Sequence, residues 1–180
     1  TGKSLVSNDT RAEATTSYSV SAFTSDGWTT TSGAGDTNTN NSNFVAWNWK
    51  ESATAGFDIV GYTGSGAAQN ISHNLGVAPT IGIFKKRSDT YGWLTYTELF
   101  DGSLDYLTLD TGNGKQNSSW STLLDSSSQI QMEGDSDGLN DSGETYIAYL
   151  FASVPGFSKI ASYEGIGGTN GPFVDCGFKP

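Results

Sequence analysis

The alternation of apolar and polar positions along the chain reads as β structure. Short stretches keep a period of two and are bounded by Gly, Asn, Asp and Ser, which is how half-buried strands look in sequence. From Thr80 onward the pattern predicts strands at Thr80–Lys86, Trp93–Thr97, Asp105–Leu109 and Ser119–Leu124. It predicts further strands at Ser128–Met132, Thr145–Ala152, Phe157–Tyr163 and Pro172–Cys176. The run Tyr146-Ile-Ala-Tyr-Leu-Phe151 is apolar on both faces, as a central strand covered on both sides must be. Turn-forming tracts lie at Ser32–Asn43, Asp110–Ser118 and Gly134–Gly143. No window sustains a helical period, and Asp9–Thr16 offers a turn of helix at most.

The pattern also repeats. Asn43-Phe-Val-Ala-Trp-Asn-Trp49 aligns with Thr145-Tyr-Ile-Ala-Tyr-Leu-Phe151 at an offset of 102, which also pairs Tyr18 with Trp120 and Trp28 with Ile130. Gly56-Phe57 aligns with Gly156-Phe157 at an offset of 100. Ile59, Tyr62, Gly64, Gly76 and Pro79 align with Ile160, Tyr163, Gly165, Gly177 and Pro180 at an offset of 101. Self-similarity at a fixed period is the sign of repeated structural units. Residues 1–79 then read as an incomplete first copy and 80–180 as a complete second copy. The expected fold is all-β, with antiparallel, jelly-roll-like β-sandwich modules in tandem or interlocked and a seam near Thr80. Strands supplied by a neighbouring chain would be one way to complete the first copy. The paired positions Tyr18/Trp120, Trp47/Tyr149 and Phe57/Phe157 are large and apolar in both copies and are expected in the core.

Composition narrows the function. Charged residues make up only 16 % of the chain and aromatic ones 12 %, so this is not the charge-dense, aromatic-poor composition of a disordered segment. A net charge of −10 argues against nucleic acid, whose phosphates need clustered Lys and Arg. One cysteine, Cys176, and one histidine, His73, exclude an intrachain disulfide and a Cys- or His-rich metal site. Cys176 aligns with the apolar Leu75 and is expected to be a small buried hydrophobe, and His73 is expected to be structural. No apolar run approaches the ~20 residues needed to span a bilayer. Position 1 is Thr rather than Met, which suggests a processed product or an excerpt.

Three strings carry a family resemblance: Phe44-Val-Ala-Trp-Asn-Trp-Lys50, Gly56-Phe-Asp-Ile-Val-Gly-Tyr-Thr-Gly64 and Ser72-His-Asn-Leu-Gly-Val-Ala-Pro79. Tyr146-Ile-Ala-Tyr-Leu-Phe-Ala-Ser-Val-Pro-Gly-Phe157, leading into Tyr163-Glu-Gly165, extends them. The chain resembles the tandem-repeated modules of unassigned function in virion proteins of marine tailed bacteriophages, often described as tail fibre-like structural proteins. The resemblance implies a virion or extracellular location and an oligomer, commonly a trimer in fibres of this kind. It brings no catalytic residues.

Candidate sites remain open at three places. Tyr91, Trp93 and Tyr96 flank a polar turn and would stack on sugar rings if exposed, or else pack in the core. Lys85, Lys86 and Arg87 form the one basic cluster, a subunit contact or a solvated strand end. Asp135, Asp137, Asp141 and Glu144 place four carboxylates in ten residues, which hard cations such as calcium require, yet an acidic hairpin loop reads the same way. No other cofactor is expected. The expected function is a non-enzymatic virion structural module of a tail fibre or surface appendage. It would assemble with other virion proteins or copies of itself and contribute to host attachment. The alternative is a carbohydrate-binding adhesin module taking a host-surface glycan. Nucleic acid and membrane insertion are not expected. A glycosidase would need two carboxylates at a set separation in a cleft, and no pair on recognisable strands offers that.

Overall fold

A computed structural model describes residues 2–15, 20–30 and 37–180. Among them the chain is all-β and antiparallel. Its strands are β1 (Lys3–Ser4), β2 (Ala14–Thr15), β3 (Val20–Phe23), β4 (Trp28–Thr30), β5 (Phe57–Thr63) and β6 (Gln69–Ser72). They continue as β7 (Ile81–Lys86), β8 (Leu94–Thr97), β9 (Asp105–Thr108), β10 (Gln116–Asn117), β11 (Gln129–Met132) and β12 (Thr145–Phe151). A single 3-10 turn at Ala53–Ala55 precedes β5. No helix among the described residues is long and apolar enough to cross a membrane.

The main sheet has six strands in the order β10-β9-β8-β7-β12-β5. β12 is an interior strand, paired with the edge strand β5 on one side and β7 on the other. Its register puts Tyr146, Ala148 and Leu150 on one face, and all three are fully buried. Across the ladders that face continues through Tyr62 and Val60 on β5, Phe84 on β7, and Leu94 and Tyr96 on β8. Tyr62 stacks on Tyr146 with centroids 5.0 Å apart, and Phe84 meets Tyr96 edge to face at 5.7 Å. Gly82 lies opposite Tyr96 because there is no room for more: a Cβ there would come within 2.7 Å of the Phe84 ring.

A second layer closes this face. β6 and β11 form a two-stranded ribbon that contributes Ile71, Ile130 and Met132. The turn after β10 adds Trp120, Leu123 and Leu124, and Leu75, Leu104 and Leu139 complete the core. Strands from both sides of Thr80 therefore share one sheet and one core, which lies within residues 57–152. Asn140, fully buried, binds the loops together: its Nδ2 donates to the carbonyls of Ala67 and Gly134 at 2.7 Å each, and its Oδ1 accepts from Ser65 N–H at 2.9 Å.

Several expected strands are not strands. Residues 119–124 form a turn, preceded by the short β10. Hydroxyl side chains offer the backbone local bonds that compete with a ladder. Here Glu133 Oε1 accepts from the N–H and hydroxyl of both Ser121 and Thr122, at 2.8–2.9 Å. Residues 157–163 and 172–176 carry no ladder, only the bridge between Val154 and Ser158. Residues 44–49, the counterpart of the central strand, also lie outside any strand and are exposed. Their alternation suits a strand, but a strand needs a partner edge, and neither segment has one here. Trp47 and Phe157, expected in the core, are 77 % and 64 % exposed. Tyr18 lies outside the described residues.

The four donors on Glu133 depress its carboxyl pKa from the ordinary 4.5 to about 2, with the Ser121 hydroxyl the largest contributor. A depressed carboxylate stabilises the fold above its unfolded pKa and stops doing so as pH falls through the folded one. The stability advantage of the wild type over Glu133→Gln should shrink between pH 4.5 and 2. Urea unfolding midpoints of the two proteins across that window check this, and a constant difference would refute it.

Candidate functional site

The largest unexplained feature is apolar and exposed. Residues 44–50 run along the molecule with Phe44, Val45, Trp47 and Trp49 all turned to solvent. Trp47 and Trp49 stack with centroids 6.4 Å apart and planes 19° from parallel. Trp49 then meets Phe57 at 6.4 Å, and Phe57 meets Phe151 at 4.8 Å. This aromatic file leads onto the outer face of the main sheet. There a groove of about 280 Å³ is lined by Trp49, Phe57, Ile59, Ile83, Trp93, Leu109, Tyr149, Phe151 and Ser7. A second groove of about 390 Å³ lies between Val20, Phe23 and Trp28 on one side and Phe44, Val45 and Trp47 on the other. The C-terminal segment exposes Phe157, Tyr163, Ile166 and Phe173 in the same manner. Contiguous exposed apolar surface of this kind marks interaction sites.

Sequence alone missed this surface, because the string that builds it is nearly the string of the buried central strand. The one local difference is Asn48, a polar residue at the position equivalent to the fully buried Leu150.

The expected sugar-stacking row does not form. Tyr96 is fully buried, with its hydroxyl donating to Asp137 Oδ2 at 3.1 Å, and burial pushes its pKa well up. Trp93 is buried, stacks on Tyr149 at 6.2 Å and donates its indole N–H to Val6 O at 2.9 Å. Tyr91 is half-buried, and its hydroxyl donates to Asp137 O at 3.0 Å. The N-terminal segment covers this part of the sheet, which sequence periodicity could not reveal.

The basic cluster is likewise spent inside the chain rather than presented to a subunit. Lys85 is fully buried, donating to Thr10 O at 3.2 Å and Lys86 O at 2.6 Å, and desolvation lowers its pKa. Arg87 pairs with Glu13 at 2.8 Å. Lys86 is buried beneath Tyr91 and Tyr146, with its Nζ 5.1 and 5.9 Å from their ring centroids, and pairs with Asp141. Burial is the largest single influence and works against the Lys86 charge, but the bond to Asp141 together with the charges of Tyr146, Asp141 and Glu144 raises the pKa.

The four acidic residues do not converge. Asp141 serves Lys86, and Asp137 accepts from Ser119 Oγ at 3.0 Å and from Tyr96. Glu144 accepts from Ser88, and Asp135 hydrogen-bonds Asp141. Among the described residues no group of three or more His, Cys, Asp or Glu side chains could hold a metal ion. His73 is buried, its Nδ1 accepting from Leu75 N–H at 3.3 Å and its Nε2 lying 3.1 Å from Ser126 O, so both nitrogens serve the fold. Cys176, expected to be buried, is partly exposed.

The Lys86–Asp141 pair supports a stability test. Removing one partner of a buried pair strands the other charge at a cost of several kcal/mol, and water reaching Asp141 reduces that cost here. Asp141→Ala should destabilise by about 1–3 kcal/mol. Lys86→Met combined with Asp141→Ala should recover much of the loss. A double-mutant cycle by chemical denaturation checks this, and additive losses would contradict it.

No curated protein and no solved structure matches this chain. A family model described as a domain of unknown function matches residues 1–180. The chain belongs to that family, DUF7483.

Proposed function

We propose that this protein is a non-enzymatic structural module of a virion, in a tail fibre or surface appendage, that assembles through its exposed apolar segments and contributes to host attachment. The observation that carries this reading is the pair of exposed segments at 44–50 and 157–163, which turn Phe44, Trp47, Trp49, Phe157 and Tyr163 to water beside a closed core. A lone soluble domain gains nothing from Trp47 and Trp49 in water, whereas a module joined to its neighbours buries them. The carboxylates favour the same reading, because those of Glu133, Asp137 and Asp141 are held by hydroxyl, amide or ammonium donors that fix loops. The resemblance to phage virion modules supplies the setting, and partners would be other virion proteins or copies of itself.

A second reading as a carbohydrate-binding adhesin draws on one observation. The stacked Trp47–Trp49 pair borders a groove with Thr24, Asp26, Asn48 and Lys50, an apolar platform with polar groups beside it. A glycan array separates the readings: a hit lost in Trp47→Ala favours the adhesin, and a flat array favours assembly alone.

Gold-labelled antibody against this chain, applied to purified phage particles, tests the principal reading. Label on a fibre or appendage is expected. Particles without label or peptides of this chain would refute the proposal.

A further inference from the structure

We propose that residues 43–49 of one copy of this chain pair as an antiparallel strand with residues 157–164 of a second copy, so that copies join head to tail. This deepens the assembly reading and rests on it. It names the partner as the chain itself and fixes the register.

The template is inside the molecule. β12 pairs with β5 so that Tyr146 lies opposite Tyr62, Ala148 opposite Val60, Tyr149 opposite Ile59 and Phe151 opposite Phe57. The sequence offsets carry β12 onto residues 43–49 and β5 onto residues 157–164. The transferred register sets Phe44 against Tyr163, Ala46 against Ala161 and Trp47 against Ile160. Trp49 then meets Phe157, with Ser158 absorbed as a one-residue bulge. Aromatic faces aromatic, small faces small and Trp faces Ile, as in the ladder already formed. Cross-strand pairs of these kinds are favourable units of sheet pairing.

The backbone repeats as well. Positive φ recurs at the same offsets: Gly56 and Gly156 at 66° and 76°, Gly66 and Gly167 at 70° and 62°, Gly76 and Gly177 at 73° and 74°. Asn41 and Gly143 make a fourth pair, at 62° and 84°. A polar tie recurs too. Asp58 accepts from Asn74 N–H at 2.6 Å, and at the equivalent positions Lys159 donates to Asp175 O at 2.7 Å. The C-terminal segment thus repeats the positive-φ positions around β5 and β6, while its residues 157–163 join no ladder and are held by the Val154–Ser158 bridge and by Ile160 N–H on Ser153 Oγ at 2.9 Å.

The occupant is a second copy for two reasons. The complementary edge for residues 43–49 is in this chain, but among the described residues it joins no ladder and is held by the Val154–Ser158 bridge and the Ile160–Ser153 bond. The surface is also continuous with the β5–β12 ladder, because Trp49 already packs against Phe57 of β5, with ring centroids 6.4 Å apart. The two edges differ, so the contact is heterologous. It leaves a free edge at each end and extends into a string or closes into a ring.

Proline supplies the test, since it removes the ladder donor and blocks strand pairing. Ala46 and Ala161 are exposed and lie outside every sheet, so Ala46→Pro and Ala161→Pro should fold, as circular dichroism and melting will verify. In sedimentation velocity the wild-type chain should form concentration-dependent oligomers. Each variant alone should be monomeric, and an equimolar mixture should give a 1:1 dimer that does not grow. Trp47→Ala should weaken wild-type association about tenfold or more, a loss of about 1.4 kcal/mol. Oligomers of either variant alone, a mixture that stays monomeric, or a wild type monomeric at every concentration would overturn the inference. If both proline variants still associate while Trp47→Ala does not, the strand register fails but assembly through the apolar segments stands.

Discussion

The ladder between β5 and β12 is the constraint on which the rest of the molecule depends. It joins residues 57–63 to residues 145–151 across more than eighty positions of chain. Closing a loop that long costs entropy, though the cost grows only slowly with length. Seven paired residues offset it, with Tyr62 on Tyr146 and Phe57 on Phe151. Once β12 is fixed, β7 takes its other edge and β8, β9 and β10 follow outward. The same ladder brings β6 within reach of β11, which covers the core face. Without it, the apolar face of the sheet would lose its cover and its central strand one partner.

The contrast between the paired and unpaired copies of this string organises the surface. Tyr146, Ala148 and Leu150 are buried because edges flank them and a second layer covers them. Phe44, Val45 and Trp47 are exposed because nothing among the described residues does either. Side-chain chemistry is similar in the two places except at Asn48, which stands where Leu150 is buried, so the difference lies in that position and in the neighbours. That is why the exposed aromatics read as an interface in waiting and not as a packing defect. The electrostatics run the other way. Charges that looked available in sequence, at Lys85, Lys86 and Arg87, are consumed by Thr10, Asp141 and Glu13. These three charges are thus turned to loop fixation, while the apolar side chains of Phe44, Val45 and Trp47 face water.

Period-two alternation and the Gly and Asn punctuation were enough to set the fold class. They also placed β7, β8, β9, β11 and β12 to within a residue or two, because these strands are short runs of β-branched and aromatic residues between turn formers. That β12 is an interior strand was legible from its apolar run, but it lies next to the edge strand β5, and its outer face is only half-buried. Residues 119–124 misled because Trp120, Leu123 and Leu124 are buried from a turn, which Glu133 holds through four donors. That contact is a tertiary event and leaves no trace in local periodicity. Asn140 is a similar case. In sequence it is one polar residue in an acidic loop, whereas in the fold it is a buried tie among three loops.

What the sequence determines by itself is therefore local: which residues can be strand or turn, that no intrachain disulfide exists, and that residues 43–49 share the apolar alternation of residues 145–151. What only the tertiary structure decided is partnership. It decided that residues on both sides of Thr80 share a sheet, that Trp93 and Tyr96 lie under the N-terminal segment and in the core, and that Trp47 and Phe157 face water. The physical reason is that a strand carries only half of its own stabilisation. Its side chains declare a preference for a pleated, covered surface, but the hydrogen bonds and the cover come from residues far away in the chain, or from another molecule.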